Sequence, residues 1–432
     1  MKTHYLRVAA ALCVAALAAC SGQTATNTMP AQTLARESSA RASVLPPGPT
    51  AHVCAAPSAG YAACHAIVRT DISGPAATSG PSGYHPTDLR GAYSLPSTTA
   101  GAGQVVAIVD AYNDPHALSD VNTYRSQFGI AQISSCNGSK PSTSTNTPCF
   151  MQVNQNGSTS SLPTNNASWS QEISLDLDMV SAVCPNCSIV LAEASSASMT
   201  NLGTAVNAAA NLGATEISNS YGGSESSSDT SYDSSYFNHP GIAITVSTGD
   251  SGYGVEYPAA SQYVTAAGGT SLYLNGAGTS TPTYNYETAW ETTSSEGAGS
   301  GCSAYDPQPS WQSSVTNITN VCKKRGVGDV SADADPNTGV SVYDSYAYRG
   351  QSGWMVFGGT SVASPILASV YALAGNAASV SYGSYSYSHT TSLHDVTQHG
   401  AYTQTCGNTL CNAATGWDGP TGNGSPNGTG AF

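Results

Sequence analysis

The sequence predicts an α/β domain: a mostly parallel sheet with helices on both faces, forming one large domain. Three observations carry this. Short apolar runs alternate with longer stretches of helical spacing, the pattern of a parallel sheet crossed by helices. The apolar runs are continuous, as expected of strands buried on both sides. Apolar residues make up 40% of the 432 residues, enough for one sizeable core.

The first twenty residues stand apart. Lys2 and Arg7 precede an apolar run from Val8 to Ala19, which is too short for a membrane span and ends in small residues. This is the layout of an export signal over residues 1–20. Leu17-Ala18-Ala19-Cys20-Ser21 also resembles a bacterial lipobox. Cys20 would then carry a lipid and be the only membrane attachment; ordinary cleavage without lipid is the alternative. Both place the protein outside the cytoplasm, secreted or anchored to the cell envelope. Residues 21–83 are rich in Ala, Ser, Thr and Pro with little periodicity, and read as a linker or short pro-segment.

From Tyr84 the texture changes, and residues 84–432 are read as the main domain. Strands are expected at Gln104–Asp110, Ser188–Glu193 and Gly241–Ser247. Helices are expected at Ala117–Phe128, Trp169–Val183 and Ser198–Leu212. Residues 270–345 are Gly-, Ser- and Tyr-rich and predict loops with short strands; an apolar helix follows at Ser361–Ala374.

Composition narrows the function. Charged residues are 9%, against about 25% in ordinary domains. With 12 Lys plus Arg against 26 Asp plus Glu, the formal net charge is -14. Nucleic acid and anionic membrane surfaces, which need clustered cations, are excluded as partners. A surface poor in carboxylates changes its charge little on acidification, which points to an acidic working environment. Setting aside Cys13 and Cys20, ten cysteines remain, an even number for an exported chain. Nearest-neighbour disulfides are expected: Cys54–Cys64, Cys136–Cys149, Cys184–Cys187, Cys302–Cys322 and Cys406–Cys411. No second CxxC or His pair completes a zinc site around Cys184 and Cys187, so a local staple is the simpler reading.

The chemistry concentrates in three places. Gly358-Gly359-Thr360-Ser361-Val362-Ala363-Ser364-Pro365 opens the last apolar helix. Glycines allow close approach to a substrate, Pro is tolerated in a first helical turn, and Ser361 faces the positive end of the helix dipole. A plain N-cap serine is the bland alternative. A nucleophilic serine needs a base, and none of the nine histidines sits in the His-Gly-Thr context of a subtilase. In Ser168-Trp169-Ser170-Gln171-Glu172-Ile173-Ser174-Leu175-Asp176 the Ser168/Gln171 spacing reads as a capping box. Glu172 and Asp176 then stand at i and i+4 on one helix face, able to share a proton. Apolar neighbours make this pair buried and not a solvated acidic face. Asp178 falls elsewhere and reads as solvated or supporting. Ser247-Thr248-Gly249-Asp250-Ser251-Gly252 ends a strand, where open parallel sheets bind ligands. A protonated Asp250 there could donate to an oxyanion; a turn Asp between glycines is the alternative.

Taken in order, EISLD, STGDSG and GGTSVASP resemble the sedolisin, or serine-carboxyl peptidase, family, whose fold is similar to subtilisin. The likeness extends from about Tyr84 to Gly424. It implies a peptidase acting on proteins or peptides at acidic pH. Ser361 would be nucleophile, Glu172 its base and acid, Asp176 the carboxyl that orients Glu172, and Asp250 the oxyanion-hole acid. Ser220, Tyr221 and Gly222 would pair with substrate backbone. The resemblance also implies one calcium ion, held by Asp395, Val396, Ala414, Gly416 and Asp418. Ala414 stands where the family has Gly and could serve only if its φ is not positive. Asp110 ends a strand like that carrying a subtilase aspartate, and is read as structural. A monomer is expected. Two rivals stand beside this reading: a conventional subtilase using Asp110 and an unrecognised histidine, and a catalytically inactive cell-surface binding protein on the same fold.

Overall fold

A computed structural model describes residues 45–75, 80–136, 138, 140–144 and 147–432. The expected export signal and Cys20 lie outside the described residues.

In chain order the elements used below are β1 (Thr50–His52), β2 (Ala63–Cys64), β3 (Ile67–Gly74), β4 (Val105–Ala111), α1 (Ala117–Gln127), β5 (Ser134–Ser135) and β6 (Cys149–Asn154). They continue with α2 (Ala167–Val183), β7 (Ser188–Ala194), α3 (Met199–Asn211), β8 (Glu216–Asn219), β9 (Tyr221–Ser224) and β10 (Ala243–Ser247). The last are β11 (Thr265–Asn275), β12 (Thr283–Ala289), β13 (Val330–Asp333), β14 (Val340–Tyr348), β15 (Gln351–Gly358) and α4 (Thr360–Ala374).

The central sheet runs β12-β11-β10-β8-β4-β7-β6-β5, with β13 also paired to β11. Every pairing is parallel except β11 with β12. Strands β4 and β7 are buried along their whole length, which is why their sequences show no alternation. Helices α2 and α4 pack together on one face of the sheet, and α3 packs on β4 and β7 from elsewhere along it. A second, antiparallel sheet of order β1-β3-β15-β14 lies against the outer side of α2 through β14. Helix α2 is therefore enclosed by sheet on one side and strand on the other. That explains why every residue from Trp169 to Val183 is buried.

The expected elements lie where the sequence placed them, and three details differ. The cap of α2 is Asn166, whose side chain accepts from the Ser168 and Trp169 amides, so the Ser168/Gln171 capping box is corrected. Asn166 does the same job two residues earlier. Pro365 is the sixth residue of α4, past its first turn. Its missing N–H leaves the Ser361 carbonyl without the usual i→i+4 helix bond.

The third difference is the largest. Residues 50–74 are not an irregular linker, because β1, β2 and β3 are built into the fold. Strand β3 pairs with β15, so the boundary at 83/84 does not separate folded from irregular chain. The Ala- and Ser-rich composition hid strands that, beyond the β1–β3 pairing, are held by partners distant in sequence. All five expected disulfides are formed. Among the described residues, no helix is long and apolar enough to cross a membrane.

Candidate active site

The three motifs meet at the carboxyl ends of β4, β8 and β10. Helix α2 brings Glu172 and Asp176, the turn after β10 brings Asp250, and the start of α4 brings Ser361. All four are buried. The Ser361 hydroxyl donates to the Ser220 carbonyl at 3.3 Å and lies near enough to the Glu172 carboxyl to favour its ionised form. Asp176 accepts from the Ser220 hydroxyl at 2.8 Å. Asp250 accepts the Thr360 amide at 2.7 Å and the Thr360 hydroxyl at 2.9 Å through one oxygen. Its other oxygen is buried with no partner among the described residues.

Burial dominates the electrostatics. It pushes the Glu172 and Asp176 carboxyls well above the usual range, and the Asp176 charge raises Glu172 further. Asp110 belongs to the same group: it is raised first by burial and then by Asp176 and Glu172. Both its oxygens lack partners among the described residues. Asp110 is thus part of the carboxyl cluster and not merely a strand end. Burial also raises Asp250, against the opposing pull of His65. A cluster of this kind holds protons in acid and resists giving them up. Asp178, read as solvated or supporting, is fully buried and accepts the Tyr343 amide at 2.8 Å. It ties α2 to β14.

Sequence reasoning missed the group that fills the cleft. Strand β2 pairs antiparallel with β9, Ala63 opposite Gly222 and Cys64 opposite Tyr221. The next amide, His65 N–H, donates to the Ser220 carbonyl at 3.2 Å. The one after, Ala66 N–H, donates to Glu172 Oε2 at 2.8 Å. The chain's own segment thus lies along Ser220, Tyr221 and Gly222 as an added strand. Gly359 shows how tightly it fits. A Cβ there would stand 1.9 Å from the His65 carbonyl oxygen and 2.9 Å from Asp250 Oδ2. The His65–Ala66 peptide group is therefore bracketed, with Glu172 at its nitrogen and Gly359 and Asp250 at its oxygen. The His65 side chain turns away from Ser361: Nδ1 bonds Ser247 Oγ at 2.7 Å and Nε2 bonds Glu256 Oε2 at 3.0 Å. No histidine bonds Ser361 among the described residues. The signal in the sequence was the Cys54–Cys64 loop next to a histidine, which says nothing about a cleft 150 residues away.

The second predicted site lies at the other end of the chain. Asp395 accepts the Gly416 amide at 3.2 and 3.0 Å. Asp418 is buried; it accepts the Ala414 amide at 2.9 Å and both the amide and hydroxyl of Thr421 at 2.9 and 2.8 Å. Burial raises Asp418, and the Asp395 charge adds to that rise. The positive φ at Gly416 is +75°, whereas Ala414 is not among the non-glycine residues of positive φ, so its methyl group brings no strain. Two carboxylates converging on a carbonyl-rich loop, with mutual repulsion, fit a hard oxygen-binding cation. A second acidic group, Glu225, Asp229 and Asp306, has ligand atoms within 4.8 Å of one another; Ser303 and Ala304 engage Glu225 and Ser226 engages Asp229, whereas both Asp306 oxygens are buried without a partner among the described residues.

No family model matches the chain. The chain is 29% identical over 381 residues to sedolisin from Pseudomonas sp. (strain 101), covering 79% of this chain and 60% of that protein. It is 29% identical over 316 residues to kumamolisin from Bacillus sp. (strain MN-32), covering 68% of this chain and 52% of the relative. It therefore spans between half and two thirds of the length of these curated relatives. Among solved structures, Pseudomonas sedolisin, described as a serine-carboxyl proteinase complexed with two molecules of pseudo-iodotyrostatin, matches with a TM-score of 0.63 and 27% identity. That match covers 80% of this chain and 96% of the solved one.

Proposed function

The chain belongs to the sedolisin, or serine-carboxyl peptidase, family, and from that premise we propose that it is an exported endopeptidase that hydrolyses peptide bonds in acid. One observation carries the proposal. A peptide group of the chain itself lies in the cleft, its nitrogen donating to Glu172 at 2.8 Å and its strand paired with β9.

The roles follow from the geometry. Ser361 Oγ attacks the carbonyl carbon while Glu172, ionised with the pair's one proton on Asp176, takes the serine proton. Glu172 is already hydrogen-bonded to the nitrogen that leaves, so the same carboxyl delivers the proton there. Asp176, anchored by Ser220, orients Glu172 and shares its proton. Asp250, neutral in acid, donates from its unpartnered oxygen to the developing oxyanion. Water then hydrolyses the acyl-serine and restores the hydroxyl.

Asp395 and Asp418, with the carbonyls of Val396, Ala414 and Gly416, would hold one Ca²⁺, whose role is to fix the 414–424 loop. Five disulfides support an oxidising compartment outside the cytoplasm.

The test is incubation of the purified chain with a denatured protein mixture from pH 2 to 8, with Ser361→Ala as control. Cleavage confined to acid and absent in the control is expected. Equal cleavage by both proteins, or a profile centred above neutrality, would contradict the proposal.

A further inference from the structure

The backbone register in the cleft assigns a place to each side chain of the inserted segment. The residue whose carbonyl faces Gly359 and Asp250, and whose following amide meets Glu172, is His65. In a substrate this is the residue on the acyl side of the bond to be cut. Its side chain enters a pocket next to the catalytic groups. Gly222 forms one wall, and a Cβ there would come 2.7 Å from the imidazole and 2.6 Å from Glu256 Oε2. Ser247 closes the base and bonds Nδ1; Glu256 bonds Nε2. Both ring nitrogens are thus engaged, and in the doubly protonated ring both donate. His65 is 5% exposed.

We propose that Ser247 and Glu256 form a primary specificity pocket that reads a protonated histidine, and that His65–Ala66 is the bond this enzyme cuts first, in its own chain. The inference rests on the peptidase reading above and adds the side chain that reading leaves open.

The charges support it. The titratable groups acting on His65 are Glu256, Asp250 and Glu172, and all act to favour the charged ring. Burial works against that charge, yet the net effect raises His65 to about 9. Glu256 responds in kind: burial pushes it up, but the imidazolium overrides this and holds it below its usual value. In acid a substrate histidine, with an ordinary pKa near ~6.5, is protonated, so the pair exists where the catalytic acids are competent.

The step balances. Ser361 Oγ bonds to the His65 carbonyl carbon and the bond to the Ala66 nitrogen breaks. The serine proton reaches that nitrogen through Glu172, leaving an amine on Ala66. Water then adds to the acyl-serine, giving a His65 carboxylate and the free hydroxyl. Both cysteines of the Cys54–Cys64 loop lie on the acyl side, so this disulfide does not hold the two products together. Strand β3 remains with the enzyme through β15.

The experiment has three arms. The full chain and its Ser361→Ala variant are held at pH 4 and the products sequenced; a new N-terminus at Ala66 is expected from the first alone. Peptides Tyr-Ala-Ala-Ser-X-Ala-Ile-Val are then assayed with X as His, Gln, Leu or Glu. A kcat/KM for His above Gln by roughly tenfold to a hundredfold is expected, and Glu256→Gln should bring the ratio near one. Independently of catalysis, NMR of labelled His65 in the Ser361→Ala chain should show the ring charged up to about pH 9, and Glu256→Gln should lower that value. Self-cleavage elsewhere only, equal rates for His and Gln, or a His65 that titrates like a free histidine would each overturn the inference. If the protein mixture is digested but not after histidine, the pocket assignment fails and the peptidase reading stands. If nothing is digested, the NMR arm still decides the pocket.

Discussion

Glu172 and Glu256 both touch the segment lying in the cleft, one at the Ala66 amide and the other at the His65 imidazole, and the fold treats them in opposite ways. Glu172 lies inside, beside Asp176 and Asp110, with no cation bonded to it among the described residues, and burial drives its pKa far up. Glu256 sits nearer the surface, its side chain 28% exposed, and is held ionised by the ring it bonds. The same side chain is therefore suited to the proposed proton carrier in one place and to a fixed negative charge in the other. What separates them is the neighbourhood, since desolvation favours the neutral form and an adjacent cation favours the charged one.

The comparison breaks first at the proton carrier. Glu172→Gln keeps the shape and removes the titrating oxygen, and Ser361→Ala removes the nucleophile. Each is expected to lower kcat/KM by on the order of 10³-fold or more at the acidic optimum, because groups acting as a unit fail together. Substantial activity in Glu172→Gln would revive a conventional subtilase mechanism through Asp110.

Asp250 sharpens the contrast, because it is a buried acid whose proposed task requires its proton. Activity in the parent should fall as pH rises through its raised pKa, when the carboxylate begins to repel the oxyanion. Asp250→Ala is expected to cost about 10²–10³ in kcat, the usual loss for one oxyanion donor. Asp250→Asn still accepts from Thr360 and donates at any pH, so its alkaline fall should move to higher pH. A pH–rate profile of Asp250→Asn that superimposes on the parent would remove Asp250 from this role.

Stability should show the same division on a larger scale. Burial raises Glu193, Glu216 and Asp344 to about 8 and Glu287 to about 7. The folded protein keeps protons on these groups that the unfolded chain releases near pH ~4. Their contribution to stability is therefore fully present below that range and is lost as pH climbs through about 8. His65, raised to about 9, acts in the same direction: its contribution is full below its ordinary value and declines at higher pH. Melting temperatures measured from pH 4 to 8 should fall steadily. A melting temperature highest at neutrality would show that these groups are ionised in the folded state.

How much of this the sequence revealed follows from where each signal sits. The strands β4, β7 and β10 and the helices α2 and α4 were legible because burial on all sides leaves continuous apolar runs. Glu172, Asp176, Asp250 and Ser361 were legible because each lies in a compact local motif. Residues 50–74 were not, because apart from the short β1–β3 pairing their strands are held by β9 and β15, far along the chain, and carry no periodicity of their own. Glu256 and Ser247 were silent for a related reason. They acquire meaning only from the residue opposite, and His65 reaches them across 182 and 191 positions.

The smallest expected effect concerns a third carboxyl environment, the Asp395–Asp418 pair. Here neither burial alone nor a side-chain cation settles the charge. Asp418 already braces its own loop through Ala414 and Thr421, and the Pro420 carbonyl in that loop accepts the Gly269 amide of β11 at 3.1 Å. A bound Ca²⁺ would relieve the repulsion between the two carboxylates and stiffen the attachment to the central sheet. A ligand present at 100 times its Kd adds about 2.7 kcal/mol to folding stability. For a chain of this size that corresponds to a melting shift of roughly 2–4 °C per kcal/mol or less. Chelation at pH 6 is therefore expected to lower the melting temperature by several degrees, added Ca²⁺ should restore it, and Asp395→Ala should already melt at the chelated temperature and no longer respond. If chelator and calcium both leave the parent's melting unchanged, Asp418 holds the loop through its hydrogen bonds alone and the pair is not a cation site.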